Sequence, residues 1–433
     1  MKKYTSFSIL GLLGLVCTSL QVQADSTLSL SQAVQEALEK SPQVLRAASQ
    51  AEEAHDRLKE AFSGFLPKIS LNANHLLSYR YQYLTAAFGD FAMVIPSTGL
   101  SFDAGLNLFD GFQTSTQTKA AKLSWHAASK ESSRIRSKVS HEIRSRYSAV
   151  LAAQMLAEVA DQNVKTLQDH LKKSQAIVAG GSGTKIDVLR VEVQLFESIP
   201  ERQQSHDNVI LARSALTEAM GLESDARLLS GSLPVPNTSD AIEKLSFDAS
   251  LRDDLQAAEL RAQSAEQQKK AARSIWLPRL GVSAQSQFYN NRDDSFALDR
   301  FRNAYTVGVN LSWMLFDYGM ISRAKSAEEQ QIQAEQLAHA ALLRAPVDFD
   351  LWKRKYLSST QLYFARKRAI ESAEESVRLA RIGYEAGTRT STEVLDTELD
   401  LFRARAGVVR AQVDATEALL QLELASGKSQ REE

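Results

Sequence analysis

The sequence predicts a mixed fold of long α-helices and membrane-spanning β-strands, and three features lead there. Two stretches of about 67 residues run almost without proline and are rich in good helix formers. Four segments of about ten residues alternate apolar with small or polar side chains, which is the period of a strand and the length of a tilted membrane-crossing one. The same landmarks occur twice along the chain, so one module is used in duplicate. Charged residues at 24% and a mean hydropathy of −0.26 exclude a bundle of transmembrane helices. The 51 Lys+Arg against 52 Asp+Glu leave a net charge of −1, so nucleic acid is not an expected partner.

The N-terminus reads as a secretory signal peptide. Lys2 and Lys3 precede an apolar run from Ile9 to Leu20, and Val22-Gln23-Ala24 supplies the small or branched residues of a cleavage site. Residues 1–24 are then removed and Asp25 begins the mature chain. Cys17 is the only cysteine, and Leu15-Val16 before it is too bulky for a lipoprotein site. It leaves with the leader, so packing, strand pairing or oligomerisation must supply stability without disulfides.

The duplication is read from landmarks at an offset of roughly 210 residues. Leu66-Pro67 returns as Leu277-Pro278, Leu108-Phe109-Asp110 as Leu315-Phe316-Asp317, Gly181 as Gly387, and Met220-Gly221 as Ser426-Gly427. The first repeat is placed at 25–221 and the second at 248–427. Residues 222–247, with Pro234, Pro236 and Asn237, form the linker, and 428–433 a short tail.

Within each repeat the hydrophobic period switches. Ile69, Leu71, Ala73, Leu77, Tyr79, Tyr81 and Tyr83 alternate with Ser70, Asn72, Asn74, Ser78, Arg80 and Gln82. The same period of two returns from Leu100 to Leu108, from Leu280 to Phe288 and from Tyr305 to Leu315. Strands are expected at about 68–83, 99–109, 279–289 and 305–316. Gln113 to Ala179 and Met320 to Ala386, broken only by Pro346, would each extend about 100 Å. The segments Ser31 to Phe62, Asp187 to Met220, Asp248 to Trp276 and Glu393 to Ser426 are about half as long. Two of them stacked end to end match one long helix, with the joint and the linker at mid-column, the equatorial region.

Four strands cannot close in lipid, where open edges leave unpaired N–H and C=O groups and known single-chain barrels start at about eight strands. Three copies would give twelve strands, with small and polar residues toward a lumen and Leu, Val, Tyr and Trp toward lipid. Tyr79, Tyr81, Tyr83 and Trp313 suit an interfacial belt, and the loops Leu84 to Ser97 and Asn290 to Ala304 would face outward. The alternative is a soluble periplasmic coiled-coil scaffold or adaptor, with a small sheet half buried on a helix and no pore.

The doubled helix–strand–strand–helix module resembles the TolC-like outer-membrane efflux protein family. "FLPKISL" and "WLPRLGV" enter the strands, "LNLFDGF" and "LSWMLFDYG" leave them, "YEAGTRTSTEVLD" forms the far helix turn and "LELASG" closes the chain. The resemblance implies a homotrimer with a 12-stranded β-barrel in the outer membrane of a Gram-negative bacterium and a periplasmic α-barrel. It implies the exit duct of a tripartite efflux pump or type I secretion system, joined by a periplasmic adaptor to an inner-membrane transporter of RND or ABC type. Pro67, Pro278, Gly111 and Gly319 fall at the helix–strand corners.

By resemblance, Gly180, Gly181, Ser182, Gly183, Thr184, Gly387 and Thr388 form the tips that meet the adaptor. Glu393 and Asp396 stand where the family lines its aperture with acids. Tyr384 and Arg389 stand where it ties the mobile helix pair shut, with Asp187 as their partner. Ile186 replaces a residue that is often polar in the family. Thr390-x-x-Glu393 is also a capping box and Thr184-x-x-Asp187 nearly one, which accounts for Asp187 and Glu393 as helix-start chemistry and leaves Asp396 the better ring candidate. No enzyme, metal site or cofactor is expected. The seven histidines show no HxxH or HExxH spacing and read as exposed helix residues, and no glycine-rich phosphate loop follows a strand.

Overall fold

The computed structural model describes residues 27–77, 82–86, 89–93, 98–181, 183–237, 242, 245–290 and 301–427. The leader with Cys17, Tyr79 and Tyr81 of the belt, Ser182 of the first tip and the tail 428–433 lie outside the described residues.

Ser29 caps helix α1 (Leu30–Lys40) through a capping box with Gln32. The helix expected from Ser31 to Phe62 is two helices, α1 and α2 (Pro42–Phe62). The residue before a proline avoids helical backbone, and Ser41 accordingly takes ψ 126°. Gly221, at φ +75°, fits into that break, where a Cβ would come within 2.7 Å of the Lys40 carbonyl oxygen. Helix α4 (Lys185–Ala219) therefore meets the α1/α2 junction end on. The second half repeats the device. Gly427, at φ +71°, follows α7 (Ser391–Ser426) and abuts the carbonyl of Leu251, just before α5 (Asp253–Arg273).

Two long helices run beside these stacked pairs, α3 (Gln113–Ala179, 67 residues) and α6 (Tyr318–Glu385, 68 residues). Helix α3 packs on α2 and α5 along one half of its length and on α4 and α7 along the other, while α6 packs on α5 and then α7. None of the described helices is long and apolar enough to cross a membrane.

The largest core lies at mid-column. Val139, Ile143, Tyr147, Val150 and Leu151 of α3 meet Ala33, Val34 and Ala37 of α1, Leu216 and Met220 at the end of α4, and Leu233. The Tyr147 hydroxyl lies 2.8 Å from the Leu28 carbonyl and 2.5 Å from that of Ser230. Across the other joint, Phe349, Leu422 and Ala425 pack with Leu245 and Phe247. Gln412 Nε2 donates to the carbonyls of Leu233 (3.0 Å) and Pro234 (3.1 Å), and the Tyr356 hydroxyl to that of Asn237 (2.9 Å). Both halves are thus tied to the chain between them.

Four strands form one antiparallel sheet in the order β1 (Lys68–His75), β4 (Thr98–Phe109), β5 (Arg279–Asn290), β6 (Phe301–Ser312). A separate hairpin pairs β2 (Gln82–Ala86) with β3 (Gly89–Met93). The strand expected over 68–83 therefore breaks after His75. Its partner β4 starts opposite, at Thr98, and Gln82-Tyr83 pair with Met93 and Ala92 instead. The segment 84–97, expected as a loop, carries that hairpin. The strand expected over 305–316 runs from Phe301 to Ser312. Ser312 faces Arg279, the residue after Pro278, so the ladder has no further partner; Trp313 leaves it and donates its indole N–H to the Trp276 carbonyl (3.1 Å).

The two faces of the sheet differ in character along the rows that cross all four strands. Ser70, Asp103, Gln285 and Thr306 align across the four strands on one face, and Ile69, Ala104, Ala284 and Val307 on the other. Asn72 and Ser101 both donate to the Asp103 carboxylate, at 2.8 and 2.9 Å.

Both entering corners are built alike, with Pro67 and Pro278 each between a single 3₁₀ turn and a strand. The returning corners differ. Gly111 takes φ +69°, and a Cβ there would meet the Ser274 carbonyl oxygen at 2.6 Å. Gly319 has no left-handed backbone; its corner is made by Asp317, whose carboxylate caps α6 by accepting the Gly319 N–H (2.9 Å).

Candidate functional site at the helix tips

The far ends of the two hairpins, α3/α4 and α6/α7, are turned by left-handed glycines. At the first tip Gly180 caps α3 and Gly181 reverses the chain at φ +81°, with open space around it. Gly183 lies against Val178, which a Cβ would approach to 3.0 Å. Thr184 then starts α4 in a complete capping box: Asp187 N–H donates to Thr184 Oγ1, and Thr184 N–H donates to Asp187 Oδ2, both at 3.3 Å.

At the second tip Gly387 reverses the chain at φ +73°. Thr388 donates its N–H (2.8 Å) and its hydroxyl (3.0 Å) to the Gly383 carbonyl. The Arg389 side chain crosses Gly383 where a Cβ would sit. Arg389 Nη1 donates to Glu393 Oε1 (2.8 Å), and Glu393 Oε2 accepts the Thr390 N–H (2.8 Å) in a second capping box. The Thr390 N–H and then the Arg389 guanidinium hold the Glu393 carboxyl below its usual range.

Asp187 and Glu393 are thus both engaged as helix caps. Asp396 is exposed and makes no hydrogen bond or ion pair among the described residues. The expected pairing of Asp187 with Tyr384 and Arg389 is not made within the chain. Asp187 is held by Thr184, Arg389 turns to Glu393, and the Tyr384 hydroxyl lies 3.5 Å from Ser174 Oγ. The link between α4 and α7 is instead Arg190 Nη1 donating to Thr392 Oγ1 (2.7 Å). Ile186 is exposed beside it.

A buried group escaped the reading of the sequence. His170 on α3 and Glu398 on α7 are 4% and 5% exposed, and His141 is also buried, so the expectation that the histidines are all exposed is wrong for these two. Glu398 Oε1 accepts from Arg381 Nε (2.9 Å) and Nη2 (2.7 Å), and Oε2 lies 2.9 Å from His170 Nδ1. His170 Nε2 lies 3.2 Å from Ser391 Oγ, and the Tyr384 ring stands edge-on to the imidazole at 6.0 Å. The available signal was position. His170 shares the buried spacing of Val164, Leu167 and Ser174, and Glu398 that of Ser391, Val394 and Ala406. Burial also pushes the His141 imidazole below its usual range.

One group among the described residues could bring three ligand atoms to a metal: Glu52, His55 and Asp56 on α2. Its members are otherwise occupied, since Asp56 accepts from Lys59 Nζ (2.8 Å) and the His55 ring stacks on Trp125 at 4.9 Å.

The doubled hairpin has known relatives. The sequence model of the outer membrane efflux protein family matches residues 33–222 and 249–428. The chain belongs to that family. Outer membrane protein TolC of Vibrio cholerae is 23% identical over 440 residues, covering 99% of this chain and 96% of TolC. The pyoverdine export outer membrane protein OpmQ of Pseudomonas aeruginosa is 26% identical over 281 residues, 62% of this chain and 57% of OpmQ. Among solved structures, the outer membrane protein VceC of Vibrio cholerae superposes with a TM-score of 0.77 at 21% identity, over 92% of this chain and 96% of VceC. As a member of the outer membrane efflux protein family, the chain is an efflux protein of the outer membrane and not an enzyme. This sets aside the soluble scaffold.

Proposed function

We propose that three copies of this chain close into a homotrimeric channel, a 12-stranded barrel in the outer membrane continued by an α-barrel in the periplasm. The observation that carries this is the sheet. Among the described residues its outer strands β1 and β6 each have one unpaired edge, and its apolar face exposes Ile69 (76%), Tyr305 (81%) and Val307 (71%). Such a sheet is stable in hydrocarbon only when neighbouring copies take up its edges. In this reading residues 1–24 are removed, 25–221 and 248–427 are the two repeats, and 222–247 belts the equatorial region. The channel is the exit duct of a tripartite efflux pump or type I secretion system. Gly180 to Thr184, Gly387 and Thr388 meet a periplasmic adaptor, which joins the duct to an inner-membrane transporter of RND or ABC type.

Gating is assigned to the tips. Opening moves the α6/α7 hairpin outward once two links are released, that of Tyr384 to Ser174 on α3 and that of Arg389 to a neighbouring copy, since within the chain Arg389 bonds its own hairpin. Asp396, with Glu393 behind it in the caps, lines the aperture as an acidic ring. The leader-free protein in mild detergent should run as a trimer on a gel unless boiled, and should conduct ions in planar bilayers. Replacing Tyr384 and Arg389 together should raise conductance, and Asp396→Asn should lower the preference for cations. A monomer that stays in aqueous buffer with its sheet formed would overturn the channel reading.

A further inference from the structure

We infer that His170 is an intrachain clasp holding the α6/α7 hairpin against α3, and that it sets how readily the tips part. The inference rests on the channel reading above and adds a residue to its gate. The contacts fall into two sets when sorted by the body that carries them. Arg381 and Glu398 both belong to the α6/α7 hairpin, so their ion pair (2.7 Å) travels with it. His170 belongs to α3, and its three polar or ring neighbours, Glu398, Ser391 and Tyr384, all come from the hairpin. Outward movement of the hairpin therefore strips His170 of every one of these contacts while leaving Arg381 on Glu398.

The chemistry makes this separation costly. The Glu398 carboxylate can only accept, so His170 Nδ1–H donates to Oε2, and Nε2 shares a hydrogen bond with the Ser391 hydroxyl. Both ring nitrogens are thereby committed with almost no access to water. Parting the pair withdraws a donor from a buried carboxylate, a heavier loss than parting an exposed ion pair. Of the other polar crossings near the tips, that of the Tyr384 hydroxyl to Ser174 Oγ is half-buried but long at 3.5 Å, and the rest are of the exposed kind. Lys173 to Glu385 (3.0 Å) and Arg190 to Thr392 (2.7 Å) lie at the surface, and Arg389 to Glu393 lies within the hairpin and crosses nothing. The charged groups around His170 are Asp169, Lys172 and Lys173 on α3, Arg381 and Glu385 on α6, and Glu398 on α7. Of these, Glu398 is the one bonded to the imidazole.

The test uses the full leader-free chain in planar bilayers, with assembly checked by the heat-sensitive trimer band. His170→Ala should conduct several-fold more than the wild type at the same voltage. Glu398→Gln, which keeps the shape but not the charge, should show a smaller rise. The double variant should add little to His170→Ala, since both remove one contact. Arg403→Ala, which removes an exposed pair within α7, should conduct like the wild type. Assembled His170→Ala with wild-type conductance, or an equal rise from Arg403→Ala, overturns the clasp. If His170→Ala does not assemble, Glu398→Gln and His170→Gln decide: conductance above wild type in both supports the clasp, and wild-type conductance in both overturns it. A wild-type chain that never conducts overturns the channel reading and the clasp together, whereas a conducting wild type matched by its variants overturns the clasp alone.

Discussion

The two hairpin tips reverse their helices with the same backbone and hold the reversal by different means. Each uses one left-handed glycine, Gly181 at φ +81° and Gly387 at +73°, and each restarts with a threonine capping box. Beyond its cap, the first tip relies on what Gly180 and Gly183 permit. The second adds Thr388 on the Gly383 carbonyl, Arg389 on Glu393, and a tyrosine docked on the neighbouring hairpin. A turn shaped by glycine has no specific contact to lose, whereas one shaped by bonds has a closed arrangement that can be broken. Discrete switching needs the second kind.

The largest effect should come from the acids placed at matching heights in the two hairpins. Glu398→Ala leaves His170 without its acceptor and Arg381 without its partner, and should lower stability by about 3 kcal/mol in a thermal melt followed by circular dichroism. Glu192, its counterpart on α4, is only partly buried and makes no ion pair among the described residues, so Glu192→Ala should change stability by less than about 0.5 kcal/mol. Equal losses would mean that the hairpins are anchored alike, and the comparison would fail.

Next in size is Gly383→Ala. The added methyl would overlap the Arg389 side chain, and displacing that side chain should cost about 2 kcal/mol and loosen its grip on Glu393. The first hairpin carries Ile177 at the matching position, so the demand for glycine belongs to the second tip alone. Gly181→Ala and Gly387→Ala should each cost about 1 kcal/mol, because a Cβ is strained at positive φ even where nothing stands within 4 Å. A clear inequality between those two losses would show that the turns differ in backbone as well as in bonding.

The parts of this structure legible in the sequence are those set by local period. The limits of α3 follow from a run without proline closed by Gly180, and strands β4 and β5 from alternation over ten or more residues. The break at Ser41 was a local signal too, since Pro42 stands inside the expected helix. The early end of β1 was not, because it depends on where the partner strand begins. The clasp is the extreme case. His170 and Glu398 are separated by 228 positions, and neither residue alone differs from the other histidines and acids that decorate these helices. An acid and a histidine each standing on an otherwise uncharged buried stripe were the only trace.

The smallest effect is a titration confined to the second tip. The carboxyl of Glu393 is held below its ordinary value of 4.5, first by the Thr390 N–H and then by Arg389, so the folded tip binds its proton less readily than the unfolded chain. For a group depressed in this direction the contribution is present above 4.5 and is lost as the pH falls through the lowered value. Protection of the Thr390 amide in hydrogen exchange, corrected for intrinsic rate, should therefore persist from neutral pH down to about 4.5 and fall only below it. Arg389→Ala removes one of the two causes and should move that fall to higher pH, while protection of the Thr184 amide of the first tip, whose cap partner Asp187 bonds to Thr184, should be unchanged by the substitution. A midpoint at Thr390 that does not move in Arg389→Ala would mean that the cap alone holds the acid, and the second tip would then have one bond fewer than its geometry offers.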